Sequence, residues 1–300
     1  MQSIGPSSSG KAYPGCREAI REAFLRKKAP VDSLDIILAS LEESTLKQYN
    51  STLKEWWKFC GGDDIDPLDA SAENVLAFLS KRFQGGAKYG VLNSARAALA
   101  LISSGDISNN LTISRFIRGA YKQRPSKPRY ETTWDVDPVL EALGKWYPLD
   151  SLDRRTVSMK LVLLLALGTG QRLQTLAAMK IQNIEERTDR LEVKISDRLK
   201  TSRIGTNQPV LVLPHFKDKP ELCISRTLLY YLKITKPLRD PKEKYVFISI
   251  NKPHRRVSTD TIGRWLKAAL SELGVPDSFR AHSTRHASTS KAAERGVAYS

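Results

Sequence analysis

The chain carries near its C-terminal end the stretch Ala281-His282-Ser283-Thr284-Arg285-His286. Two imidazoles and one guanidinium fall within five consecutive residues, although the whole sequence contains only four histidines. In a helix, His282 and Arg285 project from the same face, and His286 follows at the i+4 position. The spacing predicts a helix face that binds a phosphate group; a chance His/Arg pair in a basic protein is the alternative.

The net charge points to a polyanionic partner. The 300 residues include 48 Lys+Arg and 32 Asp+Glu, for a formal charge of +16, with 41% hydrophobic and 27% charged residues. Residues 1–130 carry 19 basic against 13 acidic side chains and the remainder 29 against 19, so both halves share the excess. The length suits two domains with cores of their own, and a nucleic acid is the usual polyanionic partner of a folded protein with this charge; a merely soluble basic protein is the alternative.

Several classes of protein are excluded by the same composition. The three cysteines, Cys16, Cys60 and Cys223, form no CxxC pair and no His/Cys cluster, which predicts free thiols in a reducing compartment and no metal. No P-loop or dinucleotide fingerprint is present, so no cofactor is predicted. The N-terminus lacks a signal-peptide core, and the longest aliphatic run, residues 161–167, is too short to cross a bilayer. The sequence predicts an intracellular protein without a membrane partner.

The N-terminal part of the chain predicts helices only. Residues 1–43 are predicted to form a disordered or short helical leader, because Ser, Gly and Pro dominate its start and Pro30 ends a short charged helix. Apolar residues then recur at helical spacing over residues 44–62, 71–83, 88–102 and 112–122. Residues 44–122 therefore predict a small all-α bundle.

Basic residues and prolines mark a linker over residues 123–135. No acidic side chain lies between Thr112 and Tyr130, and Pro125 and Pro128 prevent a continuous helix. Such a change of composition is typical of a domain boundary. The linker either crosses a DNA backbone or is a solvated spacer. In the first case the DNA-binding residues are Lys122, Arg124, Lys127 and Arg129.

A second domain is predicted over residues 136–300. Helical periodicity covers residues 136–146, 157–167, 173–180, 223–234, 259–273 and 282–295. Two β-prone runs, 191–195 and 210–213, form a hairpin or the edge of a small sheet, and residues 245–248 predict a brief strand. The fold class is therefore mainly α with a small β-sheet (α+β).

Two further cations stand at conspicuous positions. Arg172 follows a turn, Gly168-Thr169-Gly170-Gln171, between two apolar helices, where a guanidinium requires an anion; an ordinary capping or salt-bridging arginine is the alternative. Lys200 is predicted at a hairpin tip, with Arg203 behind it, where a lysine either reaches into a groove or is simply solvated.

The order of these signals resembles the tyrosine recombinase (phage integrase) family. In that family the first arginine lies in a Thr-Gly-x-Arg turn, matched here by Thr169 to Arg172. The family's β-hairpin lysine matches Lys200, and its HxxR box matches His282 to Arg285.

The resemblance covers residues 44–300, and the wording of residues 171–176 is most similar to the recombinases of DIRS-like retroelements, a eukaryotic mobile-element branch. It implies a helical core-binding (SAM-like) bundle over residues 44–122 and an integrase-like catalytic domain over residues 136–300. It also implies DNA recombination and integration by homo-oligomers on double-stranded DNA, in the nucleus. Arg203 and His286 are then expected to contact DNA as well.

The implied chemistry is cleavage and rejoining of a DNA strand through a covalent 3′-phosphotyrosine. Arg172 and Arg285 stabilise charge on the non-bridging oxygens without a metal. Lys200 protonates the departing 5′ oxygen, and His282 assists as a hydrogen-bonding or acid/base group. Because the covalent intermediate conserves the bond energy, neither ATP nor a divalent ion is required.

The chain departs from the family pattern at two points. The family usually has an acidic residue three positions after the first arginine, where this chain has Thr175. The family's nucleophilic tyrosine lies several helical turns after the HxxR box, whereas Tyr299, the only tyrosine after Arg285, comes too soon. We therefore expect a C-terminally truncated recombinase that binds DNA but cannot cleave it. A non-catalytic DNA-binding protein derived from such an element is the alternative, and a type IB topoisomerase, which shares the catalytic set, is a weaker one.

Overall fold

The computed structural model describes residues 12–63, 65–125, 127, 130–200, 202 and 205–296. The chain divides into two compact units, Met1–Pro128 and Arg129–Ser300, and the division lies inside the stretch 123–135 for which the sequence predicts a linker. Each unit encloses a hydrophobic core of its own. As the sequence predicts, the fold is mainly helical with a small antiparallel sheet.

The first unit is a bundle of helices around Trp56, which is fully buried and donates its indole N–H to the Pro67 carbonyl over 3.0 Å. Amphipathic spacing places one face of each helix in this core. The helices are α1 (Cys16–Arg26), α2 (Leu34–Ala39), α3 (Glu43–Gly62), α4 (Ala72–Gln84), α5 (Tyr89–Ile102) and α6 (Leu111–Gln123).

The bundle begins earlier than the sequence predicts. Residues 1–43 are predicted as a leader, but α1 and α2 lie within this stretch and belong to the bundle. Cys16, Ile20 and Ala23 of α1 are buried in the same core as Trp56, because their spacing of four and three residues aligns them on one helix face. Residues 1–11 lie outside the described part.

The second unit surrounds one fully buried helix. Residues 157–167 of α8 are all buried, so other elements must cover every face of this helix. Helices α10, α11 and α12 pack against it. The helices of this unit are α7 (Val136–Gly144), α8 (Arg154–Thr169), α9 (Leu173–Ala177), α10 (Ile224–Thr235), α11 (Thr259–Glu272) and α12 (Ser283–Glu294).

A three-stranded antiparallel sheet in the order β1-β2-β3 covers one side of this core. The strands are β1 (Ile184–Glu186), β2 (Arg190–Lys194) and β3 (Val210–Pro214). Leu191 pairs with Leu213 and Val193 with Leu211, and all four side chains point into the core. The period-2 alternation that predicts β2 and β3 is thus the alternation of buried and exposed residues.

The sheet differs from the prediction in two respects. Strand β1 is not predicted, since its three residues are too few and too polar to form a strand pattern. The predicted strand at 245–248 is wrong: Tyr245 and Ile248 make only isolated bridges, to Lys180 and Arg256 respectively. This segment lacks a neighbour that runs alongside it for more than one residue at a time, so no ladder forms.

Within the part of the chain that the structure describes, no helix combines the length and apolar character that crossing a bilayer requires.

Candidate active site

The HxxR stretch lies at the N-terminal end of α12, in an orientation set by its small residues. His282 is the N-cap residue, so α12 begins at Ser283, one residue later than the sequence predicts. Ser283 and Thr284 are each 1% exposed and face the core, whereas His282 is exposed and Arg285 half-buried. The phosphate-binding face that the spacing predicts is therefore the face turned to solvent.

Hydrogen bonds hold the buried side of this stretch in place. The Trp134 indole N–H donates to Ser283 Oγ over 3.0 Å, and the Ser283 hydroxyl donates to the Arg280 carbonyl over 2.7 Å. The Thr284 hydroxyl donates to the Ala281 carbonyl over 2.8 Å. These bonds leave the start of α12 little freedom to rotate.

The turn before Arg172 is shaped by glycine and threonine. Gly170 ends α8 in the left-handed conformation, with φ of 59°, which glycine adopts without strain. The Thr169 hydroxyl donates to the Leu165 carbonyl over 2.6 Å. The chain then reverses, and Arg172 becomes the exposed N-cap residue of α9, although its side chain makes no capping bond.

A direct contact joins helices α12 and α8 close to the HxxR stretch and the Arg172 turn. The Ser288 hydroxyl of α12 donates to the Leu167 carbonyl, near the C-terminal end of α8, over 2.5 Å. The pKa of His282 is lowered from its ordinary value of 6.5, first by burial and then by the charges of His286, Arg285 and Arg172. The structure therefore brings Arg172 within electrostatic reach of the HxxR stretch. We call Arg172, His282, Arg285 and His286 the cationic cluster.

No acid balances this cluster within the described residues. The side chains of Arg172 and Arg285 make no hydrogen bond or ion pair there, and the His282 and His286 rings contact each other edge to face at 5.6 Å. The alternative for Arg172, a capping or salt-bridging arginine, is thus not what the structure has. Clustered cations without an internal counter-ion are suited to bind an anion between them.

Lys200 lies where the sequence predicts it, exposed in the connection of the antiparallel β2–β3 hairpin. Its backbone N–H donates to Gln174 Oε1, two residues after Arg172, over 3.1 Å. Its side chain has no contact with the cationic cluster in this structure. Arg203, predicted behind it, lies outside the described residues.

Thr175 is the position at which the resemblance leads one to expect an acid. Its side chain is 3% exposed, and its hydroxyl donates to Gln171 Oε1 over 3.4 Å. The turn that carries Arg172 is therefore supported by neutral hydrogen bonds. Among the described residues, no group of three or more His, Cys, Asp or Glu side chains is arranged to hold a metal ion.

The predicted DNA-binding residues before the unit boundary fall into two kinds. Lys122, in the last turn of α6, and Lys127 are exposed. Arg124 is instead turned inward: its guanidinium donates to the Phe83 carbonyl and stacks on the Phe83 ring at 3.9 Å. Its position is a correction to the prediction, since these groups already occupy the side chain. Arg129 lies outside the described residues.

Comparison with known proteins identifies the second unit. The sequence model of the phage integrase family matches residues 148–300, which include Arg172, Lys200, His282 and Arg285. The chain belongs to the phage integrase family. No curated protein sequence matches it.

Solved integrase structures share the fold. One is a lambda integrase dimer bound to a COC′ core site, with 20% identity, 88% of this chain and 86% of that chain covered, and a TM-score of 0.53. A lambda integrase tetramer bound to a Holliday junction has 18% identity, 93% and 72% coverage and a TM-score of 0.51. The Tn1549 transposon integrase in complex with transposon right end DNA has 13% identity, 94% and 87% coverage and a TM-score of 0.54. At such identities the likeness establishes an integrase fold.

Proposed function

We propose that this chain is a tyrosine recombinase that binds duplex DNA and acts on one phosphodiester bond of a strand. The observation that carries the proposal is the cationic cluster, in which His282 lies within electrostatic reach of Arg172, Arg285 and His286, and the two arginines have no carboxylate partner among the described residues. Mutual repulsion of this kind is relieved when a phosphate enters. The +16 charge of the chain supplies the attraction that brings DNA to the site.

In the proposed reaction a tyrosine hydroxyl attacks the phosphorus atom. The phenolic proton passes to the neutral His282 ring, a bond forms between the phenolic oxygen and phosphorus, and the bond from phosphorus to the 5′ oxygen breaks. Arg172 and Arg285 bind the two non-bridging oxygens and stabilise the added negative charge. Lys200 gives a proton to the departing 5′ oxygen, and rejoining is the same sequence in reverse.

His282 enters this reaction as a neutral ring. Its pKa is lowered by burial and by the charges of His286, Arg285 and Arg172, which favours the neutral imidazole near pH 7. A neutral ring both donates and accepts a hydrogen bond, so it can bind a phosphate oxygen with one nitrogen and accept a proton with the other.

The attacking tyrosine is the part of the proposal that needs an experiment of its own. The described residues after Arg285 include no tyrosine, and Tyr299 lies outside them. Gly296, with a positive φ of 71°, follows the end of α12. We keep the expectation that Tyr299 is not the nucleophile.

We further propose action as a homo-oligomer on DNA, and an origin in a mobile element. The neighbours in support are a lambda integrase dimer on a core site, a tetramer on a Holliday junction, and a transposon integrase on transposon DNA. The wording of residues 171–176 favours the DIRS-like retroelement branch within the family, which also implies a nuclear location.

A non-catalytic DNA-binding protein of the same descent is the second candidate. It is favoured by Thr175, a neutral residue at the position where the resemblance leads one to expect an acid. It differs from the recombinase in a single measurable respect, because it binds DNA without breaking a phosphodiester bond.

The deciding experiment begins with a random duplex library enriched on the purified chain. The enriched sequence is then made as a nicked suicide substrate, which traps a covalent intermediate because the cut fragment diffuses away. An adduct that disappears in Tyr299→Phe would identify Tyr299 as the nucleophile and overturn our expectation for that residue.

Hydrogen peroxide, a small nucleophile, tests the remaining machinery in the same substrate. Cleavage at one phosphodiester that requires Arg172 and Lys200 supports the recombinase. Specific binding with no cleavage, by either tyrosine or peroxide, supports the non-catalytic protein. If the chain binds no duplex, both the recombinase and the non-catalytic DNA-binding protein are contradicted.

A further inference from the structure

Gln174 makes the one side-chain hydrogen bond that reaches the backbone of Lys200 within the described residues. Its Oε1 accepts the Lys200 backbone N–H over 3.1 Å, across 26 positions of sequence. A backbone N–H only donates, so the acceptor must be the carbonyl oxygen of the Gln174 amide. Neither the resemblance to recombinases nor the chemistry proposed above assigns a task to this residue.

The rest of the β2–β3 loop is anchored elsewhere. Close to β2, Asp197 pairs with Lys180 and accepts the Tyr245 hydroxyl over 2.9 Å. Further along, Leu199 is 5% exposed, and its N–H donates to Ser202 Oγ over 2.8 Å. These contacts fix the base and the fold of the loop. The bond to Gln174 is the one that joins Lys200 itself to α9.

Gln174 is also close in sequence to the cationic cluster. Helix α9 begins at Leu173, directly after its N-cap Arg172, and Gln174 is the second residue of the helix. Leu173 is held in turn by α11, where a Cβ added at Gly263 would lie 3.4 Å from Leu173 Cδ1. A short, packed helix therefore carries both Arg172 and the acceptor for the Lys200 backbone.

The neutral charge of Gln174 suits this position. A carboxylate would accept the same N–H, but it would also attract the Lys200 ammonium and repel a phosphate. An amide oxygen holds the backbone and leaves the ammonium free for an anion. The hydrogen bond between Thr175 and Gln171, which supports the Arg172 turn, likewise joins two neutral groups.

We propose that Gln174 is a positioning residue, which holds the backbone of Lys200 so that the ammonium is delivered to the phosphate bound at Arg172. The proposal rests on the proposed function, because it assigns Lys200 to the same phosphate. It predicts that the loss of one neutral hydrogen bond changes the behaviour of Lys200 without unfolding the protein.

The test compares Gln174→Met with a matched control, Gln182→Met. Methionine keeps the size and helix propensity of glutamine and removes the acceptor. Gln182 is exposed in the same unit, and its side chain makes no hydrogen bond within the described residues. Hydrogen exchange resolved to single amides then measures the Lys200 N–H in the free protein. We expect exchange to rise roughly fivefold in Gln174→Met, as loss of one exposed hydrogen bond predicts, and to stay unchanged in the control.

Acylation of the Lys200 amine, measured by mass spectrometry, reports its delivery to DNA. A random-sequence duplex should protect Lys200 in the wild type and in Gln182→Met, and protect it several-fold less in Gln174→Met. The melting temperature should not change, so a general loss of structure does not explain the result. Gln174→Glu should restore slow exchange at Lys200 while it weakens duplex binding, because it keeps the acceptor and adds a negative charge.

Three outcomes overturn the proposal. The first is unchanged exchange at Lys200 in Gln174→Met. The second is faster exchange in this variant with protection by DNA equal to that of the wild type. The third is duplex binding that leaves Lys200 unprotected in every variant. Failure of the proposed function is a distinct result: the wild type then does not bind duplex DNA at all, whatever the exchange measurement shows.

Discussion

The two halves of helix α12 use their cations in opposite ways. In the first half the charged face is open to solvent and has no carboxylate partner among the described residues. In the second half both cations are ion-paired with the start of α7. The open set is His282, Arg285 and His286, and the paired set is Lys291 and Arg295.

The fold also shifts the pKa values of the two halves in opposite directions. Hydrogen bonding to Asp137 raises the pKa of Lys291, so its cation is favoured by the fold. Burial and neighbouring positive charges lower the pKa of His282, so an added proton there is disfavoured. The cations in the second half of α12 are paired within the unit, whereas the first half keeps a repulsion that an external anion relieves.

The largest expected effect comes from the open set and its neighbour on α9. The double variant Arg172→Ala/Arg285→Ala should bind duplex DNA about a hundredfold more weakly, since each charged hydrogen bond contributes about 1.5 kcal/mol or more. The slope of log affinity against log salt should fall by about 1, because the phosphate that both arginines bind is no longer neutralised. Fluorescence anisotropy across a salt series measures both quantities.

Lys291→Ala/Arg295→Ala is the matched control on the same helix, with the same loss of charge. This control variant should lower the melting temperature and leave the slope of log affinity against log salt nearly unchanged. Equal loss of DNA affinity in the two double variants would contradict the division of α12 into an open and a paired half.

A second prediction applies the same comparison to the end of α6. Arg124→Ala should lower the free energy of unfolding by about 1–2 kcal/mol, since its guanidinium bonds the Phe83 carbonyl and stacks on the Phe83 ring at 3.9 Å. Lys122→Ala should leave stability unchanged and lower the salt slope of DNA binding by about 1. Urea unfolding and anisotropy separate the two effects. Removing Lys122, Arg124, Lys127 and Arg129 at once would combine the loss of stability with the loss of DNA affinity and obscure both effects.

The case of Arg124 illustrates what the sequence can and cannot predict here. Local patterns predict most of α8 and its end near Gly168-Thr169-Gly170, because an unbroken apolar run and glycines are both signals within one short stretch. The direction of the Arg124 side chain depends on Phe83, 41 residues away, and no local pattern reports it. The basic composition of the linker therefore predicts that the segment is positively charged, but it does not show which of these cations are available to bind an anion.

The candidate site divides in the same manner. The spacing of His282 and Arg285, and the turn before Arg172, are local and predictable. The bond from Trp134 to Ser283 spans 149 positions, and the bond from Lys200 to Gln174 spans 26, so both follow from tertiary packing alone. The burial of Leu199 beside Lys200 is likewise a tertiary result.

A third, smaller effect is a pH dependence of DNA binding through His282. Its pKa in the free protein lies below 6.5, and a bound phosphate raises it, so binding takes up a proton at acidic pH but not near pH 7, where the ring is neutral. Duplex affinity should increase as the pH falls below 6.5 towards the pKa of the free ring, by at most about tenfold per pH unit for one proton. Calorimetry in two buffers of different ionisation enthalpy measures the uptake. His282→Gln should remove most of it, and an unchanged uptake in that variant would show that another group titrates.

The smallest expected effect concerns the paired half of α12. Lys291→Met should lower the melting temperature slightly at neutral pH, because Lys291 Nζ lies 2.8 Å from Asp137 Oδ2 and 3.4 Å from Asp135 Oδ1 at an exposed edge. The hydrogen bond from Lys291 holds the pKa of Asp137 below its ordinary 3.8, so this stabilisation is present above that value and is lost as the pH falls through the lowered pKa. The wild type and the variant should therefore melt at the same temperature in strong acid or at high salt and separate only near neutral pH at low salt. DNA affinity should not follow the melting temperature; if it did, the paired cations would also be contacting phosphate, and the contrast within α12 would be lost.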